Sequence, residues 1–321
     1  MQTYLSARKL ATGLRHVSGP QQVRLADDAA GVVILARNAG WFLRDCLDHH
    51  FALGAVHAVV IDAGSDDRTA AIATAHPRVT LLSSDLPLMD HESALRTTAA
   101  RRVLEGGWVL FADPDEMAEP PAALSLLLRY ANAQGFTAVL GQDLDMAPTG
   151  VGATYADART TSRYTQGGLE RVPYGDPSFH LDWFTRNNPA PDPGVQMLAG
   201  GLRKLVFAED PVLTKHILVR NLASIDLMSH PHCAGNVTVA DVTIAIRRYM
   251  FAGDWQARDR AAVAAGTWGH GEDRQRLETA SRPGFQITIP SPQEWAGTDA
   301  LLRDGFLFAS PAARSALSLK D

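Results

Sequence analysis

From residue 31 the chain alternates short runs rich in valine and isoleucine with longer stretches whose apolar residues recur at helical spacing. That alternation predicts strand and helix units around a mostly parallel sheet, an α/β fold. Residues 31–36 read as a buried strand. Trp41, Phe42, Cys46, Leu47, His50 and Phe51 then fall at helical spacing up to Gly54. Residues 58–62 form a second strand, residues 69–75 an alanine-rich helix, and residues 79–82 a third strand. A helix over about 92–105 carries Arg96, Arg101 and Arg102 and stops at Gly106-Gly107. Residues 108–112 are a buried strand that runs directly into Asp113-Pro114-Asp115-Glu116. Pro120 and Pro121 are placed to open a helix reaching Tyr130, as proline favours a first turn. Residues 136–140 give one more strand, leading into Gln142-Asp143-Leu144-Asp145-Met146.

Between residues 147 and 195 the composition shifts to Pro, Gly, Thr, Asn and aromatic residues with little periodicity, the character of a binding loop or lid. Strand-like runs return at 202–207, 217–219, 225–228 and 237–249. The tail reads as helical over 254–265 and 272–280. The expected organisation is an N-terminal segment (1–30), a catalytic domain (31–251) and a helical C-terminal extension (252–321). Within the domain, a donor half covers about 31–146 and an acceptor half about 147–251.

Composition narrows the function classes. The 321 residues, 46% hydrophobic and 20% charged, can bury a large core. A net charge of −5 supplies no overall basic field for a nucleic-acid backbone, so no nucleic-acid partner is expected. Two cysteines, Cys46 and Cys233, exclude a disulfide scaffold and a four-cysteine zinc site, and fit a reducing compartment. The first residues lack the apolar centre of a secretory signal, and no run approaches the roughly 20 apolar residues that cross a bilayer. A cytoplasmic protein without a transmembrane segment is the expectation.

Carboxylates placed immediately after buried strands lie where open α/β sheets bind their ligands. Asp113 and Asp115 flank a single residue, so their oxygens suit a shared divalent cation, Mg²⁺ or Mn²⁺, that bridges a diphosphate. The alternative is a solvated acidic turn favoured by a helix dipole. Asp62 holds the equivalent position after the second strand, in Asp62-Ala63-Gly64-Ser65-Asp66-Asp67-Arg68-Thr69. Its carboxylate can accept hydrogen bonds from a base or ribose, or cap the next helix through an Asx-type turn.

Taken in order, these segments resemble glycosyltransferase family 2, in the bacterial branch with an Asp-x-Asp-Glu motif. Ala36-Arg37-Asn38 fits the first motif of that branch, and Asp62 to Thr69 fits Asp-x-Gly-Ser-x-Asp-Gly-Thr with Arg68 in place of its glycine. Residues 108–116 fit the strand and Asp-x-Asp-Glu motif. Leu144-Asp145-Met146 and Gly200-Gly201-Leu202-Arg203 resemble two further family segments, so the likeness runs from about 31 to 280.

The resemblance implies a GT-A fold, a nucleoside-diphosphate sugar donor such as a UDP-sugar, and displacement with inversion onto an acceptor hydroxyl. It implies donor-binding roles for Ala36, Arg37, Asn38, Asp62, Arg96, Asp113 and Asp115, and Arg248, where the chain departs from the family, is a further donor-binding candidate. Asp145 and Glu209 are the candidate general bases. Asp113 and Asp115, with His230 or His232, are the candidate metal ligands. Relatives commonly carry a His-Phe-Lys-like segment where this chain has Arg248-Tyr249-Met250, and a guanidinium cannot bind a metal. Hence either a histidine still serves the metal, or Arg247 or Arg248 supplies fixed positive charge to the diphosphate, unless that pair is only a surface strand edge. Lys204 and Lys215 are further candidate phosphate contacts. Trp183 and Phe184 are placed to stack on a sugar, whereas Trp255 and Trp268 suit packing. Two rivals share the pattern: a sugar-nucleotide nucleotidyltransferase, for which Ala36 to Gly40 is a poor phosphate loop, and a non-catalytic sugar-nucleotide-binding module of the same fold.

Overall fold

The computed structural model describes residues 13–149, 155–176, 182–267 and 271–320. Its frame is a nine-stranded sheet made of β1 (Arg15–Ser18), β2 (Ala30–Ala36), β3 (His57–Asp62), β4 (Val79–Ser83), β5 (Trp108–Ala112), β6 (Glu116–Glu119), β7 (Ala138–Asp145), β8 (Thr214–Arg220) and β9 (Val239–Arg248). Their spatial order is β1-β4-β3-β2-β5-β8-β7-β9-β6. The pairings give β2, β3, β4, β5, β7 and β9 one direction, while β1, β8 and β6 run against them. β2, β3, β5 and β7 are buried along their whole length, as strands covered on both faces must be.

Helices cover both faces. On one side lie α1 (Leu43–Leu53), α2 (Thr69–Ala75) and α4 (Leu124–Gln134), packed on the alternate strand residues Val32, Ile34, Val60, Leu110 and Ile244. On the other lies α3 (Leu88–Val103), which packs Leu95, Ala99 and Val103 against Val33, Val59, Val109 and Phe111. The period-2 alternation along each strand sends successive residues to the two layers. Further along the chain come α5 (Gly201–Phe207), α6 (Trp255–Ala265), α7 (Glu272–Ala280), α8 (Thr298–Arg303) and α9 (Pro311–Leu317). The last two return to the first layer, where Leu301, Leu302, Phe306, Ala313 and Leu317 join its core. Tyr130 on α4 and Ser310 both donate to the Asp241 carboxylate on β9 and tie that return to the sheet.

Several expected elements differ. Residues 202–207, read as strand-like, form α5. Gly200 and Gly201 both take positive φ, which turns the strand Gln196–Gly200 sharply into a helix, and Arg203 and Phe207 then share its buried face at i, i+4. The helix expected after Pro120 starts only at Leu124, because residues 116–119 are β6, paired antiparallel with β9. The prolines end that strand, since they have no N–H to donate to a ladder. α3 begins at Leu88 behind Pro87, a turn earlier than expected. The segment 147–195 holds short elements: Ala147–Pro148 pairs with Ser162–Arg163, and Leu169–Pro173 pairs with Gln196–Gly200. Trp268 lies outside the described residues, as does the side chain of Trp183.

A third small core joins the tail to the end of β9. Phe207 stacks on Phe251 at 5.4 Å and meets Trp255 edge-on at 5.6 Å. Arg258 on α6 lies 4.8 Å from the ring centroids of Trp41 and Phe42 and donates to the carbonyls of Met250 (2.8 Å) and Ala252 (2.7 Å). Gly253 lies beneath that cluster at φ +60°, where an added Cβ would sit 1.8 Å from Trp41 Cη2. Gly253→Ala is expected to lower unfolding free energy by about 3 kcal/mol, combining left-handed strain with overpacking. Denaturant unfolding should show this, and Trp41→Phe in the same chain should return part of the loss.

Candidate functional site

The carboxyl ends of β2, β3 and β5 and the ends of β7 and β9 bring the candidate residues to one edge of the sheet. The first wall is backbone. Asn38, at φ +52°, donates its N–H to Ser65 Oγ (2.9 Å), and its Oδ1 accepts from the Asp66 N–H (3.0 Å). Ala39 N–H donates to Thr69 Oγ1 (2.8 Å) and Gly40 N–H to Asp67 Oδ2 (2.7 Å). These bonds knit the loop after β2 to the loop after β3. Asp62 Oδ1 accepts the Ser65 N–H at 3.0 Å, the Asx-type turn read as one option, and its second oxygen is left for another donor. Ala36 is buried with its carbonyl bonded to the Ala63 N–H (2.9 Å), so it sets the loop's position, while Arg37 is exposed beside it.

The second wall is a buried charge network. β9 lies between β7 and β6, and Arg248 is in register with Asp145 on one side and Glu116 on the other, so all three face the same way. Asp143, two residues before Asp145, shares that face, and Lys215 on β8 reaches it from beyond β7. Arg248 approaches Asp143 at 3.2 Å, Glu116 at 3.4 Å, and Asp113 and Asp115 at 3.9 Å each. Lys215 Nζ lies 2.5 Å from Glu116 and 3.6 Å from Asp143. Arg96, one buried side of α3, pairs with Asp113 and with Glu92 (3.0 Å) and donates to the Ala112 carbonyl (3.2 Å). The Asp113 N–H donates to Glu116 Oε2 at 3.1 Å, which closes the turn. Arg247 points to the opposite face, paired with Glu119 and bonded to the Tyr249 hydroxyl (2.9 Å), and so is apart from this site.

A third group adjoins the second. Arg203 Nε donates to Asp145 Oδ2 at 3.0 Å and a terminal nitrogen lies 4.0 Å from Asp143. Glu209 accepts from Arg276 at 3.1 Å, and Arg276 is also held by Asp259 at 2.7 Å. Asp145 Oδ1 and Glu209 Oε2 are buried without a hydrogen-bond partner, two unused acceptors beside the cations.

Burial dominates the protonation of this region. It lifts Glu116 to about 7, aided by Asp113 and Asp143 against Lys215 and Arg248. Burial also lifts Glu209 to about 7 against Arg276 and Arg203, and raises Asp115. Asp113 goes the other way: although burial opposes it, Arg96, Lys215 and Arg248 hold its carboxyl well below the usual range. His232 is pushed down by burial and by Lys215 and Arg248, so its ring is neutral at pH 7.

The divalent cation implied by the resemblance does not fit this donor set as it stands. Arg248 stands against both Asp113 and Asp115, Arg96 takes one Asp113 oxygen, and His230 is an exposed residue with its ring 6.3 Å from that of His232. Among the described residues no group of three or more His, Cys, Asp or Glu is arranged to hold a metal ion. Two other expectations are corrected by packing. Phe184 is fully buried, 4.6 Å from the His216 ring, and has no face for a sugar. Lys204 is a surface residue engaged with Glu170 and Asp210. Glu116, Asp143 and Arg203 enter the network unnamed as candidates by the sequence reading. The i, i+2 spacing of Asp143 and Asp145 was the available signal, whereas β6, which aims Glu116, forms only against β9.

An α/β sheet with this polar edge is the frame of a GT-A-type protein. Residues 31–156 match the family model of glycosyl transferase family 2, the family the motifs resemble. No curated protein matches the chain. Among solved structures it is similar to glucosyl-3-phosphoglycerate synthase from Mycobacterium tuberculosis, in complex with Mn²⁺, uridine diphosphate and glucosyl-3-phosphoglycerate. That likeness has 20% identity and a TM-score of 0.26, and covers 36% of this chain and 44% of that one. It is also similar to HddC from Yersinia pseudotuberculosis, at 13% identity and TM-score 0.27, over 37% of this chain and 59% of that one. The chain thus spans less than two thirds of either. No helix among the described residues is long and apolar enough to cross a membrane.

Glu116 and Glu209 bind protons in the folded chain at pH values where the unfolded chain, with glutamates near 4.5, has released them. Stability is therefore expected to fall as pH rises from about 4.5 to about 7, with the loss complete above that. Asp113 acts oppositely at lower pH, losing its contribution as pH falls below the ordinary carboxylate range. The slope of Tm between pH 4.5 and 7 should flatten in Glu116→Gln/Glu209→Gln; an unchanged slope would show that neither carboxyl is lifted.

Proposed function

We propose that the chain transfers a sugar from a nucleoside-diphosphate sugar, with UDP-sugars the first candidates, to an acceptor hydroxyl with inversion. The observation that supports this best is the single edge on which Arg248 and Arg96 meet Asp113 and Asp115 and Lys215 meets the adjoining Glu116, next to the knitted loops after β2 and β3. In this reading Asp62, Asn38, Arg37 and the backbone from Ala36 receive the nucleoside. The cations face the diphosphate, whose growing charge on departure they stabilise without reorganising. Asp113 and Asp115 hold those cations in position and orient the donor.

Inversion needs one carboxylate to take the acceptor proton as the anomeric bond forms. Asp145 suits that role: its register places it beside Arg248, Arg203 fixes one oxygen, and the other is unpaired. Glu209 is the second candidate, held near neutrality but gripped by Arg276. The acceptor's class is left to a screen of hydroxyl compounds. The matched family segment and the soluble-type α/β frame support a transferase; a cytoplasmic setting fits the buried free thiols of Cys46 and Cys233.

UDP is expected to raise Tm by linkage, and Asp115→Ala to reduce that shift. Asp145→Asn is expected to keep the UDP-induced shift while lowering donor turnover by about 10²- to 10⁴-fold, the usual effect of losing a general base. Glu209→Gln should cost less. If Asp145→Asn and Glu209→Gln both turned over donor at the wild-type rate, the assignment of the base would be wrong. If no nucleoside diphosphate from a UDP, GDP and dTDP panel shifted Tm, the donor site itself would be.

A further inference from the structure

We infer that Arg248 occupies the position of a divalent cation in this site, so that the nucleoside diphosphate is held by a guanidinium fork and binds without a metal ion. The inference rests on the donor-site reading above and concerns how that site handles the diphosphate.

Its basis is the placement of one side chain. The Arg248 guanidinium lies equally far, 3.9 Å, from an oxygen of Asp113 and an oxygen of Asp115, the two carboxylates best placed to share a cation. A Mg²⁺ ion bound to them would sit about 2.1 Å from each oxygen, in the space into which the guanidinium projects. Like charge and volume both keep the two apart. Arg248 is also hard to move. Its backbone is the last residue of β9, hydrogen-bonded between β7 and β6, and its Nη1 is within 3.4 Å of both Asp143 and Glu116 on those flanking strands. The next residue is fixed as well, with Tyr249 N–H donating to the Asp115 carbonyl at 2.9 Å.

The same side chain retains capacity for a ligand. It is 17% exposed; its Nε has no hydrogen-bond partner but is buried, so the terminal nitrogens are the ones a ligand reaches. Planar N–H donors suit two phosphate oxygens at once, a geometry that lysine lacks, and the guanidinium keeps its charge at any working pH. Lys215 flanks it through the shared partners Glu116 and Asp143, and Arg96 flanks it through Asp113, so three fixed cations line the edge.

Isothermal titration with UDP, in buffer containing EDTA and in buffer containing MnCl₂, tests this on wild type, Arg248→Ala and Arg248→Lys. Wild type should bind UDP in EDTA, with affinity changed less than about threefold by Mn²⁺. Arg248→Ala should lose tenfold or more in EDTA and regain binding with Mn²⁺, because Asp113 and Asp115 are then free to take the ion; tenfold corresponds to about 1.4 kcal/mol. Arg248→Lys, which keeps the charge and fills most of the space, should fold even if the alanine variant does not, and should bind in EDTA more weakly than wild type. Binding by wild type only in Mn²⁺ would overturn the inference and leave the donor reading intact. Undiminished binding by Arg248→Ala, or by Arg248→Lys should the alanine variant not fold, would overturn it too. Absence of UDP, GDP and dTDP binding by wild type in both buffers would instead remove the donor reading on which it stands.

Discussion

Four carboxylates from the turn after β5, from β6 and from β7 converge on one guanidinium, Arg248, at the end of β9. Charges taken out of water are costly unless each has partners, and deleting one partner of such a set commonly costs about 3–5 kcal/mol. Arg248 and Lys215 are therefore what permits Glu116 and Asp143 to be buried at all, and Arg96 does the same for Asp113. The arrangement is also a set of spatial constraints. Arg96 ties α3 to the end of β5, and Arg203 ties α5 to the end of β7, so both helices are registered on the polar edge of the sheet by charge as well as by packing.

The tail of the chain supports this edge from behind. Arg258, wedged over Trp41 and Phe42, bonds the carbonyls of Met250 and Ala252 just past Arg248. Trp255, Phe251 and Phe207 pack beneath it. The end of β9 is thus held by its two neighbouring strands and by an aromatic cluster that reaches back to the loop after β2. A side chain fixed on every side can present charge without reorganising when a ligand arrives, which is the property that a site acting on a leaving diphosphate needs. Protonation follows from the same burial: Glu116 and Glu209 are lifted while Asp113 is pulled down, so neighbouring acids hold different charge states near neutrality.

Strand and helix periodicity in the first half was legible because each element carries its own pattern. β2 and β5 are unbroken apolar runs, β3 carries one between His57 and Asp62, and α2 spans the residues expected of it. The carboxylates at the strand ends were legible for the same local reason. Elements whose state depends on distant partners were not. β6 is four residues that become a strand only because β9 lies alongside. α5 was missed for a local reason, the two consecutive glycines whose positive φ turns the chain into a helix. Phe184 and Lys204 looked available in the sequence and are spent on packing and on surface pairs.

By itself the sequence determined the α/β frame, the order of its motifs and the presence of Asp62, Asp113, Asp115 and Arg248 near strand ends, since hydrophobic period and chain position are local properties. Only the tertiary structure decided that Arg248 and not Arg247 faces those carboxylates, and that Glu116, Asp143 and Lys215 join them. The reason is geometric: which of two adjacent arginines meets an acid depends on the register of β9 against two strands that lie about 100 residues or more away in sequence, and no local pattern encodes that register.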